Sequence, residues 1–453
     1  MKTHLIAIGG SAMHNLAIAL HRKGIEVTGS DDEIFEPSKS RLNREGLLPA
    51  SEGWFPEKIT TELDAVIVGM HARRDNPELL KAQELGLKIF SYPEYLYEQT
   101  KDKVRIVIGG SHGKTSTTAM ILHVMQHCGI GTDYMVGAQL DGFDCMVKLT
   151  SENKYAILEG DEYLSSPIDL RPKFHLYRPN IALLTGIAWD HINVFPTFEK
   201  YVEQFKIFVD LIENDGVIIY CSADPEVVKV VEQSNNDIEK IAYDVHPNTV
   251  KDGITYLNTE SGEVPLRIFG NHNLQNLNGA LMVCREIGIK DADFYEAIKS
   301  FGGAARRLEV VKEFSETIVY KDFAHSPSKL KATTAAVKQQ FPDRKLTACM
   351  ELHTFSSLNA AFLKEYNGAM ASADEAIVYF NPHTIQHKKL EPITEEQVLE
   401  AFGTSNVKVF TNSSLIVKYL VEKDWSQSNL LLMTSGNFDG VDFMELANQL
   451  EKK

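Results

Sequence analysis

Short apolar runs alternate with amphipathic stretches along nearly the whole chain. In the first hundred residues the runs fall at 4–8, 26–28, 65–69 and 88–91, and the apolar positions of 16–22 recur at helical spacing. Runs this short, followed by helical periodicity, read as parallel strands joined by crossover helices. The rhythm restarts at Val104, with further strands predicted at 155–158, 181–184 and 217–220. It restarts again after Gly303, with strands at 317–320, 345–349, 375–379, 407–410 and 430–434 and a helix over 330–339. The predicted class is α/β throughout.

Length and charge narrow the picture. The 453 residues leave room for about three domains, and the restarts place them at 1–100, 101–303 and 304–453. Lysine and arginine number 46 against 62 aspartates and glutamates, a formal net charge of −16. Such a chain is repelled by nucleic acid and by anionic membranes, so neither partner is expected, whereas a small anionic substrate in a local basic pocket remains compatible. Cys128, Cys145, Cys221, Cys284 and Cys349 show no short metal-ligand spacing, and their odd number fits reduced thiols. The first apolar run is too short for a signal peptide and no run reaches about 18 residues, so a cytoplasmic protein without membrane insertion is expected.

Candidate chemistry is densest at Val104-Arg-Ile-Val-Ile-Gly-Gly-Ser-His-Gly-Lys-Thr-Ser116, an apolar strand that turns through glycines into a helix opening with Lys114 and Thr115. Glycines let backbone N–H groups face anionic oxygens, the helix N-terminus adds a positive dipole end, lysine supplies a point charge and the threonine hydroxyl suits magnesium. The usual spacing asks for a glycine where Ile108 stands, so the loop is a variant, but strand, Gly-Lys-Thr triplet and helix coincide. A nucleoside triphosphate is the expected ligand. The first unit has its own glycine turn, Gly9-Gly-Ser-Ala-Met-His14, followed by Asp31 after the second strand. It fits a dinucleotide turn lacking its last glycine and an ordinary strand-to-helix turn equally.

The next strand of the central unit ends in Leu158-Glu-Gly-Asp-Glu-Tyr163, and the one after it leads to Ala188-Trp-Asp-His-Ile-Asn193. Open α/β sheets build sites at such carboxyl ends. The acids fit magnesium or plain solvation, and His191 fits a metal or a local hydrogen bond. Downstream lie Gly270-Asn-His-Asn-Leu-Gln-Asn276, Arg306-Arg-Leu-Glu309 and Asp322-Phe-Ala-His-Ser-Pro327; singly they read as a helix cap, surface ion pairs and a turn.

In this order the motifs resemble the Mur ligases, ATP-dependent amide-forming enzymes of bacterial cell-wall precursor synthesis, over the whole chain. The resemblance implies an N-terminal Rossmann-like domain, a central P-loop ATPase-type domain and a C-terminal Rossmann-like domain, with ATP and magnesium as cofactors. It puts Gly110, Ser111, His112, Gly113, Lys114, Thr115 and Ser116 around the phosphates, Thr115 and Glu162 on magnesium and His191 on a second magnesium. It puts Asn273 and Asn276 near the adenine, Arg307 near the γ-phosphate and Asp322 on the ribose. Lys114, Glu162, His191 and Arg307 form the implied catalytic set. Gly9, Gly10, Ser11, His14 and Asp31 would meet UDP-N-acetylmuramate, and His325 and His353 the reacting substrates. The carboxylate would become an acyl phosphate that the amine attacks, with the third domain closing to exclude water.

Within the family the cues Asp161-Glu-Tyr163, Asp322-Phe-Ala-His325 and Ser435-Gly-Asn-Phe-Asp-Gly440 resemble the branch that adds the tripeptide L-alanyl-γ-D-glutamyl-meso-diaminopimelate. Alanine-adding members carry arginines for the amino acid carboxylate where this chain has Glu351-Leu-His-Thr-Phe-Ser-Ser357. The alanine-adding branch is the alternative. Lys206 has the spacing from His191 at which several members carry a carbamylated lysine; both of these branches generally lack it, and a solvated helix lysine is the other reading. A nucleotide-driven switch would not need two further α/β units and has no Asn-Lys-x-Asp segment here. A nicotinamide dehydrogenase would leave Lys114, Glu162 and His191 without a task.

Overall fold

The computed structural model describes residues 1–140, 142–189, 194–303, 308–403 and 406–451, which group into two compact units. The first comprises residues 1–187, 194–244 and 279–297. It holds a parallel four-stranded sheet in the order Glu26–Ser30, Lys2–Ile6, Ala65–Val68, Ile89–Ser91. Leu5, Ile6, Val66, Ile67 and Val68 have no exposed surface, and Ala65–Val68, buried along its whole length, is accordingly an unbroken apolar run. Helices Ser11–Arg22 and Tyr92–Thr100 follow strands Lys2–Ile6 and Ile89–Ser91; the second begins with a Ser91/Glu94 capping box.

The same unit holds a seven-stranded sheet, ordered Glu239–Tyr243, Val217–Cys221, Ile181–Leu184, Val104–Gly109, Tyr155–Gly160, Thr132–Met135, Val147–Lys148. All neighbours are parallel except the last pair. The strand that feeds the glycine loop lies fourth of the seven, flanked by Ile181–Leu184 and by Tyr155–Gly160, which leads into the acidic segment. Chain order reverses beside it, the position where open α/β sheets hold ligands.

The second unit comprises residues 188–193, 245–278 and 298–453. Its six-stranded sheet runs Glu309–Phe314, Thr317–Asp322, Ser428–Met433, Lys345–Leu352, Glu375–Phe380, Val407–Phe410, parallel after the first hairpin. Successive side chains of Lys345–Leu352 enter two cores: Ala348 and Met350 join Leu330, Val337 and Phe380, while Cys349 joins Ile377, Ile416 and Trp425 on the opposite face. Both faces are thus covered. A three-stranded antiparallel sheet, Asn248–Lys251, Ile254–Thr259 and Gly262–Leu266, is not legible as apolar runs, because the first strand has no buried residue and the other two interleave buried with more exposed ones. Among the described residues no helix is long and apolar enough to cross a membrane.

Candidate functional site

Strand Val104–Gly109 pairs to its last residue, Ile108 opposite Glu159 and Gly109 opposite Gly160. The strand therefore extends past the point where the common loop would begin, which is how Ile108 replaces a glycine, and the turn shortens to residues 110–113 before helix Lys114–His127. Gly110 has φ +128°, and a Cβ there would lie 2.1 Å from Thr185 Oγ1. Gly113, at φ +80°, starts the helix with no side-chain cap, so the first-turn N–H groups stay available to an anion. The Ser111 N–H donates to the Gly186 carbonyl at 2.9 Å, and the Thr185 hydroxyl donates to the Gly109 (3.2 Å) and His112 carbonyls. These bonds fix the loop against the neighbouring strand.

Lys114 Nζ donates to the Gly110 carbonyl (2.5 Å) and to Glu162 Oε2 (2.6 Å). Burial by itself would lower the ammonium's pKa, but the carboxylates of Glu162, Asp161 and Glu159 outweigh it and hold it above the ordinary lysine value. Thr115 Oγ1 donates to Glu159 Oε1 at 2.8 Å, and Glu159 Oε2 accepts the Gly137 N–H at 2.8 Å. The implied magnesium pair of Thr115 and Glu162 is thus divided in this state: Glu162 faces the lysine, and Glu159 faces the threonine. Glu159, part of the acidic segment in the sequence, was given no individual role there; it is 7 % exposed, next to the last residue of an otherwise apolar strand. Asp161 points elsewhere, onto Lys173 at 2.5 Å. Ser111 and Ser116 lie buried beside the loop.

Hydroxyl and carboxylate oxygens suit magnesium, which commonly takes one or two carboxylates together with phosphate and water. Among the described residues no group of three or more His, Cys, Asp and Glu converges on a metal position. His191 and Arg307 lie outside the described residues. Lys206 sits half-buried on helix Phe198–Asp210.

At the N-terminal turn the structure brings Gly9, Gly10, Ser11 and Asp31 together. The Gly9 N–H donates to Asp31 Oδ2 at 2.7 Å, and helix Ser11–Arg22 starts at Gly10 with no side-chain cap. Burial pushes the Asp31 carboxyl up, the Gly9 N–H opposes it and Asp32 adds to it, leaving it at about 6. His14 instead points inward, 2 % exposed. Its Nδ1 lies 2.9 Å from the Gly10 carbonyl and 3.0 Å from Ser38 Oγ, and its Nε2 lies 3.0 Å from Asn15 Nδ2.

In the second unit the carboxyl ends of three adjacent strands collect Asp322, Glu351 and Thr434. Asp322 accepts the Phe323 and Leu308 N–H groups (2.8 and 3.2 Å) on one oxygen and the Thr333 hydroxyl (2.7 Å) on the other. His325 Nδ1 lies 2.8 Å from the Phe323 carbonyl. Glu351, another acid missed inside an apolar strand, accepts the Thr434 hydroxyl and the Phe438 N–H (2.9 Å) and lies 3.7 Å from His353 Nδ1. Burial pushes its carboxyl up, but these partners hold it below the ordinary glutamate range. Glu351 thereby ties the Ser435-to-Gly440 segment to the 351–357 segment. Asn273 and Asn276 share one face of the opening turns of helix Asn271–Glu286; Asn273 Nδ2 donates to the Phe269 carbonyl at 2.9 Å, and Asn276 is buried.

An open cavity of about 640 Å³ adjoins His353 in this unit, lined also by Asn381, His383, His387, Lys388 and Asp439. The Lys388 ammonium lies 4.4 Å from the centre of the exposed Phe355 ring, a cation–π contact.

Comparison with known proteins identifies the family. Three family models match in succession: Mur ligase family, catalytic domain, over 2–103; Mur ligase middle domain, over 108–284; and Mur ligase, glutamate ligase domain, over 306–438. A UDP-N-acetylmuramate–L-alanine ligase of Caldicellulosiruptor bescii is 30% identical over 410 residues, 88% of this chain and 87% of that protein. The chain belongs to the Mur ligase family. It is an ATP-dependent ligase that forms amide bonds, and its three-domain α/β architecture is that of the family. Another Mur ligase, the UDP-N-acetylmuramate–L-alanyl-γ-D-glutamyl-meso-2,6-diaminoheptandioate ligase of Escherichia coli, is 27% identical over 470 residues, 100% of this chain and 99% of that protein. The crystal structure of a murein peptide ligase from Psychrobacter arcticus superposes with a TM-score of 0.64 at 23% identity, covering 100% of this chain and 99% of that one.

Proposed function

We propose that this Mur ligase joins UDP-N-acetylmuramate to the tripeptide L-alanyl-γ-D-glutamyl-meso-diaminopimelate, converting ATP to ADP and phosphate, in the recycling of cell-wall precursors. The observation that carries the choice of amine is the cavity beside His353. It has the size of a pocket for a multi-residue ligand, more room than a single alanine fills, and it offers Lys388 and imidazoles to carboxylates in a chain of net charge −16. The 351–357 segment contains no arginine that would grip the carboxylate of a free amino acid next to its attacking nitrogen.

The chemistry follows from the residues. Lys114 exchanges Glu162 for the β- and γ-phosphates, and the uncapped helix start supplies N–H donors to the same oxygens. Thr115 and Glu162 would hold magnesium, which would supply charge neutralisation to the phosphoryl group being transferred. Arg307 adds to that neutralisation, Asp322 orients the ribose, and Asn273 and Asn276 flank the adenine. The substrate carboxylate oxygen bonds to the γ-phosphorus as ADP leaves. The peptide amine then attacks the acyl carbon, the C–O bond breaks, and phosphate departs with that oxygen. Gly9, Gly10, Ser11 and Asp31 serve the UDP moiety.

Side-by-side turnover with L-alanine, the dipeptide and the tripeptide tests the amine. A preference for the tripeptide beyond the roughly 10- to 200-fold available from shape alone is expected; a preference for L-alanine would assign the chain to the branch of the Caldicellulosiruptor relative.

A further inference from the structure

Tyr201 lies on helix Phe198–Asp210 and has no exposed surface. Its ring packs against Phe195 and Phe205, with centroids 5.4 and 5.1 Å away, so packing alone would be served by phenylalanine. The hydroxyl is what needs explaining. It donates to Glu162 Oε1 at 3.1 Å and lies 2.8 Å from Ser111 Oγ in the phosphate loop. With its one proton committed to the carboxylate, Tyr201 receives the proton of Ser111. A buried chain therefore runs Ser111, Tyr201, Glu162, Lys114, each link a hydrogen bond and the last an ion pair.

The two ends of this chain behave differently when a nucleotide arrives. The Lys114 ammonium, at the end of a long unbranched side chain, is drawn to the phosphates and leaves Glu162 Oε2. The other oxygen stays bonded to a rigid phenol. That bond keeps the carboxylate, 1 % exposed, in one orientation while the ammonium departs.

We propose that Tyr201 is a positioning residue: it holds Glu162 by Oε1 while Lys114 moves to the triphosphate, so that Oε2 is presented to the divalent cation in a fixed place, and it reports the state of the phosphate loop to that carboxylate through Ser111. The inference rests on the reading of residues 110–116 as the ATP site.

Tyr201→Phe removes the hydroxyl and keeps the ring. Manganese, a paramagnetic substitute for magnesium, is titrated into the full-length protein with saturating ADP and followed by electron paramagnetic resonance. The expected result is a fall in cation affinity of about 10-fold to 100-fold, the usual cost of losing an outer-shell partner, with ADP binding in the presence of a chelator unchanged. In a Glu162→Ala background the same substitution should have no further effect, because its route to the cation is gone; a purely structural role for Tyr201 would persist there. Affinity within twofold of the parent in Tyr201→Phe, or an equal loss in the Glu162→Ala background, overturns the inference. Absence of cation-dependent ADP binding in the unaltered protein overturns the ATP-site reading as well, and so separates the two failures.

Discussion

Replacing Lys114 by methionine tests the phosphate loop in two currencies at once. The lysine is 14 % exposed and its partner Glu162 1 %, so the substitution takes the cation away from a buried carboxylate. Removing one member of a buried ion pair costs about 3–5 kcal/mol. The lower end applies here, because Tyr201 still donates to Glu162 Oε1 and the lysine is the less buried member. For a domain of this size about 3 kcal/mol corresponds to a melting temperature lower by roughly 6–12 °C. Turnover should fall on the order of 10²-fold or more, the cost of losing one charge-stabilising contact at the reacting group. The double variant Lys114→Met/Glu162→Gln separates the two effects. Its neutral amide keeps the tyrosine bond, so most of the melting temperature returns while turnover does not. The pH dependence also has a fixed sign. The folded lysine pKa is raised, so the pair's stabilisation is complete below the unfolded lysine value of about 10.4 and lost only above it. The gap between parent and single variant should therefore stay level across roughly pH 6 to 9. Calorimetry and a phosphate-release assay read both quantities. A single variant that melts with the parent and turns over normally would refute the account of the loop.

Asp31→Asn should raise thermal stability at about pH 8 and leave it nearly unchanged at about pH 4. The carboxyl's pKa rises from 3.8 to about 6 on folding, so the native state loses up to about 3 kcal/mol as pH climbs through that window; an equal gain at both pH values would show that ionisation is not the cause. Gly110→Ala meets Thr185 Oγ1 at 2.1 Å and Thr185 N at 3.0 Å from a backbone at φ +128°, so it should abolish ATP binding measured by calorimetry, and retention of affinity would contradict the loop geometry. Glu159→Gln removes the charge beside Thr115 and should raise the magnesium concentration for half-maximal turnover by about 10-fold or more; an unchanged requirement would leave Glu159 a purely structural acid.

The apolar runs were sufficient to find most strands, because buried parallel strands are continuous in sequence. Those overlooked are the ones whose stability is not local. Thr132–Met135 carries Asp133 with no exposed surface, acceptable only because Lys103 Nζ lies 3.0 Å away and Thr150 donates to it. Glu239–Tyr243 is an edge strand whose Glu239, Lys240 and Ala242 face solvent. The antiparallel sheet did have a local signal, Asp252-Gly253 at φ +50° and +73° between paired Lys251 and Ile254, the residues of a tight hairpin turn. The glycine turn and the helix that opens with Lys114 and Thr115 were legible because they are consecutive in sequence. Glu159, Glu351 and Tyr201 were not. Each matters through a partner 44, 83 or 39 positions away in the chain, and such pairings exist only once the sheets have formed. His14 illustrates the converse: its place in a glycine turn suggested a ligand contact, whereas helical geometry turns it toward Ser38.

The most direct test of the central claim, ATP-driven amide formation through an activated carboxylate, is isotope transfer. UDP-N-acetylmuramate labelled with ¹⁸O in its carboxylate is incubated with ATP, magnesium and the tripeptide, and the released phosphate is analysed by mass spectrometry together with the nucleotide product. The account predicts an amide-linked UDP-N-acetylmuramoyl-tripeptide and phosphate carrying one oxygen from the carboxylate. Unlabelled phosphate, or phosphate released equally well without the amine and with no amide formed, would contradict it.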